Sequence, residues 1–244
     1  MGELDLAEAE IREGIRLEPD NAGFLWNLGS IQQLRGDHAD ALNTFSIANL
    51  IYADASMHDQ RTPEDELGRS ERLYSHEKHL AAILLGQQAP LEPDQKIDVA
   101  EVCRHKRLFA DAARFYREAF EARAALAEDL ASGNRRNAAI AAAQVGTDSR
   151  VGTDIQPLDP AAKADHRAQA LGWLRADRDA SVRILSEKDS EQHPVARRTL
   201  DIMLHHRDLA CVRSPEALAK LPEAERVEWQ KFWAEVSALM DDSK

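Results

Sequence analysis

A spacing of 34 residues recurs at the start of the chain. Gly2, Ala7, Ile11 and Gly14 are answered by Gly36, Ala41, Phe45 and Ala48, so that glycine, small, large apolar and small residues follow in the same order twice. A repeat of this length is one supersecondary unit that cannot bury its apolar face alone and stacks on its neighbours. The pattern requires a pair of antiparallel helices so close that one face accepts only Gly or Ala where the backbones approach. Large side chains fill the gaps between.

The segment 22–53 reads as one full unit. Its first helix carries Leu25, Leu28 and Gly29, its turn is Arg35–Gly36–Asp37, and its second helix presents Ala41, Phe45 and Ala48. Gly2 to Pro19 reads as a second helix on its own, closed by the run Leu17 to Asn21, so the expectation is a chain that opens in the middle of a repeat. A third, more degenerate unit has Val99, Ala100 and Cys103 on a first helix and Ala112, Tyr116 and Ala119 on a second, with Leu108–Phe109 at the turn. Between them, about 54–90, lies an insertion with a helix start at Thr62–Pro63–Glu64–Asp65. Its apolar stripe of Leu73, Leu80 and Leu84 with Tyr74, Ala81 and Leu85 stops at Gly86.

Past Leu130 the pattern changes, which divides the expectation into residues 1–130, repeats with an insertion, and 131–244, a degenerate repeat and a helical cap. Asn134 to Val145 is Ala-rich and reads as a short buried helix. Asp159–Pro160, His193–Pro194, Ser214–Pro215 and Leu221–Pro222 each open a further helix, because proline suits the first helical position and Asp or Ser caps the free N–H groups before it. The last helix carries Val227, Trp229, Phe232, Trp233, Val236 and Leu239 on more than one face and is expected to close the end of the stack. The fold class is all-α, since Ala, Leu, Glu and Arg dominate and runs of Val, Ile and Thr are absent.

Charge narrows the function classes. The chain carries 43 acidic and 31 basic residues, a net charge of −12, and its basic residues are interleaved with acidic ones. Nucleic acid would require a basic stripe, whereas Arg135–Arg136 and Arg197–Arg198 are only pairs. No apolar run approaches the roughly 20 residues that span a bilayer, and the start MGELDLAEAE is acidic where a signal peptide would be basic and then apolar. Cys103 and Cys211 have no partner Cys or His cluster near them, so neither a disulfide framework nor a zinc module is indicated. The expectation is a cytoplasmic protein without a membrane, nucleic-acid or metal partner.

Several short matches to catalytic or metal motifs give way to structural readings. His206–Arg207–Asp208–Leu209 spells the start of a kinase catalytic loop, but Arg213 stands where that loop requires Asn for magnesium, and no phosphate loop accompanies it. It reads as a helix terminus. His76 and His79 lack the i, i+4 spacing of a zinc protease helix, since Leu80 holds the required place. His205 and His206 point about 100° apart on a helix. VGTD occurs twice, at Val145–Asp148 and Val151–Asp154, with too few oxygen ligands for calcium. Cys103 is expected to be a buried small hydrophobe. The chain therefore reads as a non-enzyme with no cofactor.

The 34-residue units resemble tetratricopeptide repeats (TPR), with Leu25, Leu28 and Gly29 matching the start of the TPR pattern and Leu standing where Trp is usual. Together with ADAARFYREAF, RNAAIAAA, RAQALGWLRAD and the ending from Asp208 to Met240, the chain is similar to the carboxy-terminal region of planctomycete-type bacterial serine/threonine protein kinases. The resemblance implies an α-solenoid that binds a partner protein or peptide in a concave groove lined by first helices. Groove candidates are Trp26, Asn27, Ser30 and Gln33 from the second unit and Asp98, Glu101 and Arg104 from the third. Trp26 falls one place past the slot that Leu25 fills and so leans to the groove. Some TPR domains clamp a terminal carboxylate with Lys and Arg, but Asn, Ser and Gln stand here. The alternatives are a regulatory fragment of a kinase and a self-association module.

Overall fold

Helix accounts for 81% of the residues described, and no strand occurs among them. A computed structural model describes residues 2–54, 63–147 and 158–241. Its helices are α1 (Glu3–Leu17), α2 (Ala22–Arg35), α3 (His38–Asp54), α4 (Pro63–Leu84), α5 (Pro93–His105), α6 (Phe109–Ala122), α7 (Ala125–Glu128), α8 (Asn134–Gly146), α9 (Pro160–Ser186), α10 (His193–His205), α11 (Pro215–Leu218) and α12 (Glu223–Asp241). A 3-10 turn, Arg207–Val212, joins α10 to α11. The all-α expectation holds.

The chain forms two units, Met1–Pro90 with Glu101–Lys106 and Leu91–Ala100 with Arg107–Lys244. This division does not coincide with residue 130. The reason is that α8 packs on α6 as well as on α9, which joins α6 to the helices beyond residue 130.

In the first unit the local chemistry of the turns sets the helices. Asn21 caps α2 by accepting the Gly23 N–H at 3.0 Å, and its own amide donates to Glu18 at 2.9 Å. Gly36 adopts φ +83 and ends α2, with its N–H and that of Asp37 returning to the carbonyls of Gln33 and Gln32. The repeated small residues then find their use. A methyl group on Gly29 would lie 2.7 Å from the Phe45 ring, and one on Gly14 would lie 2.7 Å from the Phe24 ring, so these positions must stay bare for the helices to meet. Ala41, Phe45 and Ala48 on α3 are fully enclosed, whereas Ala7, Ile11 and Gly14 are only half-buried, because α3 packs on both α2 and α4 and α1 packs on α2. Along α4, Leu73, Leu80 and Ile83 are buried; Ala81 and Leu85 face solvent, which narrows the expected stripe. Gly86, at φ +67, closes α4 as expected.

The second unit is built round α8. Ala138 to Ala143 are all fully buried, and the short side chains let α6, α9 and the 3-10 turn approach the helix from several sides. Arg167 on α9 donates to the Gly146 carbonyl at 2.5 Å and to both carboxylate oxygens of Glu225 at 2.6 and 2.8 Å, tying α8, α9 and α12 together. On α12, Trp229, Phe232, Trp233 and Val236 are buried, and the Trp233 indole donates to the Val212 carbonyl at 2.7 Å. Val227 departs from the expectation: it is 52% exposed and lies about 200° round the helix from Trp229.

Candidate functional site

Helix α2 carries Trp26, Asn27, Ser30 and Gln33, most of the groove candidates, so the site is built from it. Its sequence, AGFLWNLGSIQQLR, contains a single charge, Arg35, in a chain that is 30% charged. Arg35 is taken up by Asp5 at 2.7 Å and Glu8 at 2.5 Å on α1. Gly23, Asn27, Ser30 and Leu34 are exposed, and their spacing of four, three and four residues places them along one stripe. Opposite them, Leu28, Gly29, Ile31 and Gln33 are buried. The result is an accessible helix face without charge.

Each groove candidate has a definite position. Asn27 and Ser30 are exposed, with the Ser30 hydroxyl donating to the Trp26 carbonyl at 3.0 Å. Trp26 is half-buried, its ring 4.9 Å from that of Phe45 at 41°, so it both packs and keeps an accessible edge. Gln33 is corrected: it turns inward at 6% exposure, and its amide donates to the Ser70 hydroxyl of α4 at 2.7 Å. Glu101 is corrected likewise: it is 6% exposed and pairs with Arg69 and Arg104, the latter at 3.0 Å. These two serve the interior of the first unit and do not line a groove. Arg104 is half-buried beside Glu101, and Asp98, also half-buried, belongs to the second unit. Gly23 and Leu34 extend the stripe. Their signal in the sequence was the absence of charge at the helical spacing.

Electrostatics separate the interior cluster from the stripe. Burial alone would raise the Glu101 carboxyl, but Arg69 and Arg104 outweigh it and hold it at about 2. Burial, reinforced by Arg104, pushes the neighbouring His105 down to about 3. His38 is lowered too, chiefly by burial and secondarily by Lys106.

The motif matches take structural places. His206 caps the 3-10 turn by accepting the Asp208 N–H at 3.2 Å, and Arg213 donates to the carbonyls of Met203 at 2.9 Å and His206 at 3.2 Å. The residue standing where a kinase loop needs Asn therefore closes the end of α10. His79 and His205 are exposed, His76 is half-buried and Cys103 is buried. Among the described residues no group of three or more His, Cys, Asp or Glu side chains is placed to hold a metal ion, and no helix is long and apolar enough to cross a membrane. Thr62, Asp148 and Asp154 lie outside the described residues.

No family model, no curated protein and no solved structure matches the chain.

Proposed function

We propose that the chain is a protein-interaction module, a TPR-like α-solenoid whose α2 face receives an extended peptide or a helix of a partner protein. The observation that carries this reading is the uncharged exposed stripe Gly23–Asn27–Ser30–Leu34 beside the half-buried Trp26. Interface centres are depleted of charge and enriched in aromatic anchors, and α2 combines both in a chain that is elsewhere densely charged. The close contact of Gly29 with Phe45 supports treating α2 and α3 as one repeat pair. The amide of Asn27 and hydroxyl of Ser30 suit hydrogen bonds to a peptide backbone better than a clamp on a carboxylate. The proposed setting is the cytoplasm, where Cys103 and Cys211 remain thiols.

The test is affinity capture from the native cell with the whole chain as bait, followed by calorimetric titration of the captured protein. Asn27→Arg and Ser30→Arg change only exposed positions and are expected to weaken binding at least tenfold without lowering the melting temperature. Trp26→Ala should weaken binding and also loosen its contact with Phe45. Full binding by both arginine variants would remove α2 as the site.

A further inference from the structure

His38 and His105 form a buried imidazole pair that the proposed binding face does not use. His38 is the first residue of α3 and His105 the last of α5; their rings lie 5.3 Å apart at 37°. His38 is fully enclosed and neither of its ring nitrogens meets a hydrogen-bond partner among the described residues. The His105 side chain is 3% exposed, and its Nδ1 is likewise without a partner. Its Nε2 sits 2.9 Å from Arg104 Nη2. A guanidinium only donates, so this contact assigns His105 Nε2 as the acceptor and places the single ring proton on Nδ1. The packing therefore fits two neutral rings.

The pair lies where two backbones are pressed together. A methyl group on Gly36 would meet the His105 carbonyl oxygen at 3.3 Å, and Lys106 donates to the Gly36 carbonyl at 3.2 Å while pairing with Glu77 of α4. We propose that the His38–His105 pair is an acid-sensitive latch, which holds the segment Glu101–Lys106 against the turn between α2 and α3 while both rings are neutral and releases it when they take up protons.

The charged groups around the pair give protonation little compensation. Glu101, Glu77 and Asp37 attract a proton, but Glu101 already pairs with Arg69 and Arg104, Glu77 pairs with Lys106, and Asp37 is exposed. Arg69, Arg104 and Lys106 repel it. A cation at His38 would also face the positive end of α3, whereas His105 sits at the favourable end of α5 and is opposed by Arg104 instead. Two charges about 5 Å apart would then repel each other.

A histidine whose pKa is lower in the closed form than in the open one stabilises the closed form fully above about pH 6.5, and progressively less as pH falls. For His105 the loss continues down to about 3. Between pH 7.5 and 5.5 the closing constant falls about tenfold for His105 alone, and His38 adds to the fall. Glu101 does not contribute in that window, because its stabilisation is complete above the ordinary carboxylate range and is lost only toward about 2.

Hydrogen exchange on the whole chain tests the latch, with rates corrected for the intrinsic effect of pH. Peptides covering 33–45 and 101–106 are expected to lose protection by at least about tenfold between pH 7.5 and 5.5, while a peptide covering 229–236 does not. In the double variant His38→Phe, His105→Gln the acid effect should vanish. Loss of protection to the same extent in that variant, or none in the wild type, overturns the proposal. Should the variant fail to fold, histidine resonances of the wild type decide: titration of both rings near pH 6.5 while 101–106 stays protected would equally refute it.

Discussion

The two units distribute their buried polar side chains differently. In the first, a polar seam runs through the interior: Gln33 with Ser70, Glu101 with Arg69 and Arg104, and the enclosed rings of His38 and His105. In the second, Ala138 to Ala143 and the Trp229, Phe232, Trp233 and Val236 stripe make an apolar interior, in which the buried Asp177 and Arg167 are each tied to one charged partner, Arg135 and Glu225. Apolar packing derives its stability from area removed from water and is insensitive to pH, whereas a polar seam depends on every member keeping its partner and its charge state. The first unit should therefore be the more sensitive to acid and the second to truncation of its apolar side chains.

The largest effect should come from truncating the apolar interior. Trp233 is 7% exposed, stacks against Trp229 at 6.0 Å and meets Phe232 edge-on at 4.8 Å. Trp233→Ala is expected to cost about 3–5 kcal/mol, a drop in melting temperature on the order of 10 °C. Val227→Ala, at an exposed position of the same helix, should change it little. Calorimetry and sedimentation of both variants check this. An unaltered melting temperature with altered association would make α12 a docking surface and collapse the contrast between the units.

A smaller effect is expected from the seam, and it differs in sign logic from its counterpart. Glu101 is held well below the usual carboxylate range, so its ionised form is favoured by the fold; Asp177 is raised by burial despite Arg135, so its ionised form is disfavoured. Glu101→Gln leaves Arg69 and Arg104 facing a neutral amide and should cost toward the lower end of roughly 3–5 kcal/mol, because Arg69 is 36% exposed and stays partly hydrated. Asp177→Asn should cost less. Denaturant titration of the two variants at pH 7 ranks them, and the reverse order would mean that pairing in the seam does not stabilise the first unit.

Local signals were legible and side-chain direction was not. Asn21, Gly36, Gly86, Asp159 and Ser214 mark helix ends through chemistry confined to three or four residues, and each acts where the sequence indicates. Repeat geometry puts first-helix positions such as Gln33 and Glu101 on a concave face. Their inward turn has a nonlocal cause: Ser70 is 37 residues from Gln33, and Arg69 is 32 from Glu101. Helix α4, an insertion outside the repeat pattern, supplies both partners, and no periodicity could place it. The short α7 and the 3-10 turn also escaped, since elements of four and six residues carry too little pattern. Of the site, the exposure of Asn27 and Ser30 was legible from helical spacing alone.

The smallest expected effect sharpens the comparison by being the same in both units. Asn21 accepts the Gly23 N–H at 3.0 Å at the head of α2, and Asp159 accepts the Ala162 N–H at 2.8 Å at the head of α9. Both caps satisfy one of the free donors of a first turn, and both side chains are exposed, so neither draws on the polar seam or the apolar interior. Replacing either by Ala should cost about 1 kcal/mol, or roughly 2–4 °C in a chain of this size. Asp159→Ala should cost slightly more, because the lost carboxylate also faced the positive end of the helix, and that excess should fade at high salt. Thermal melts of both variants at low and high ionic strength measure the two parts. If Asn21→Ala instead costs several times as much as Asp159→Ala, the first unit responds to a local change as a cooperative whole, and its difference from the second lies in coupling between helices as well as in the polarity of its interior.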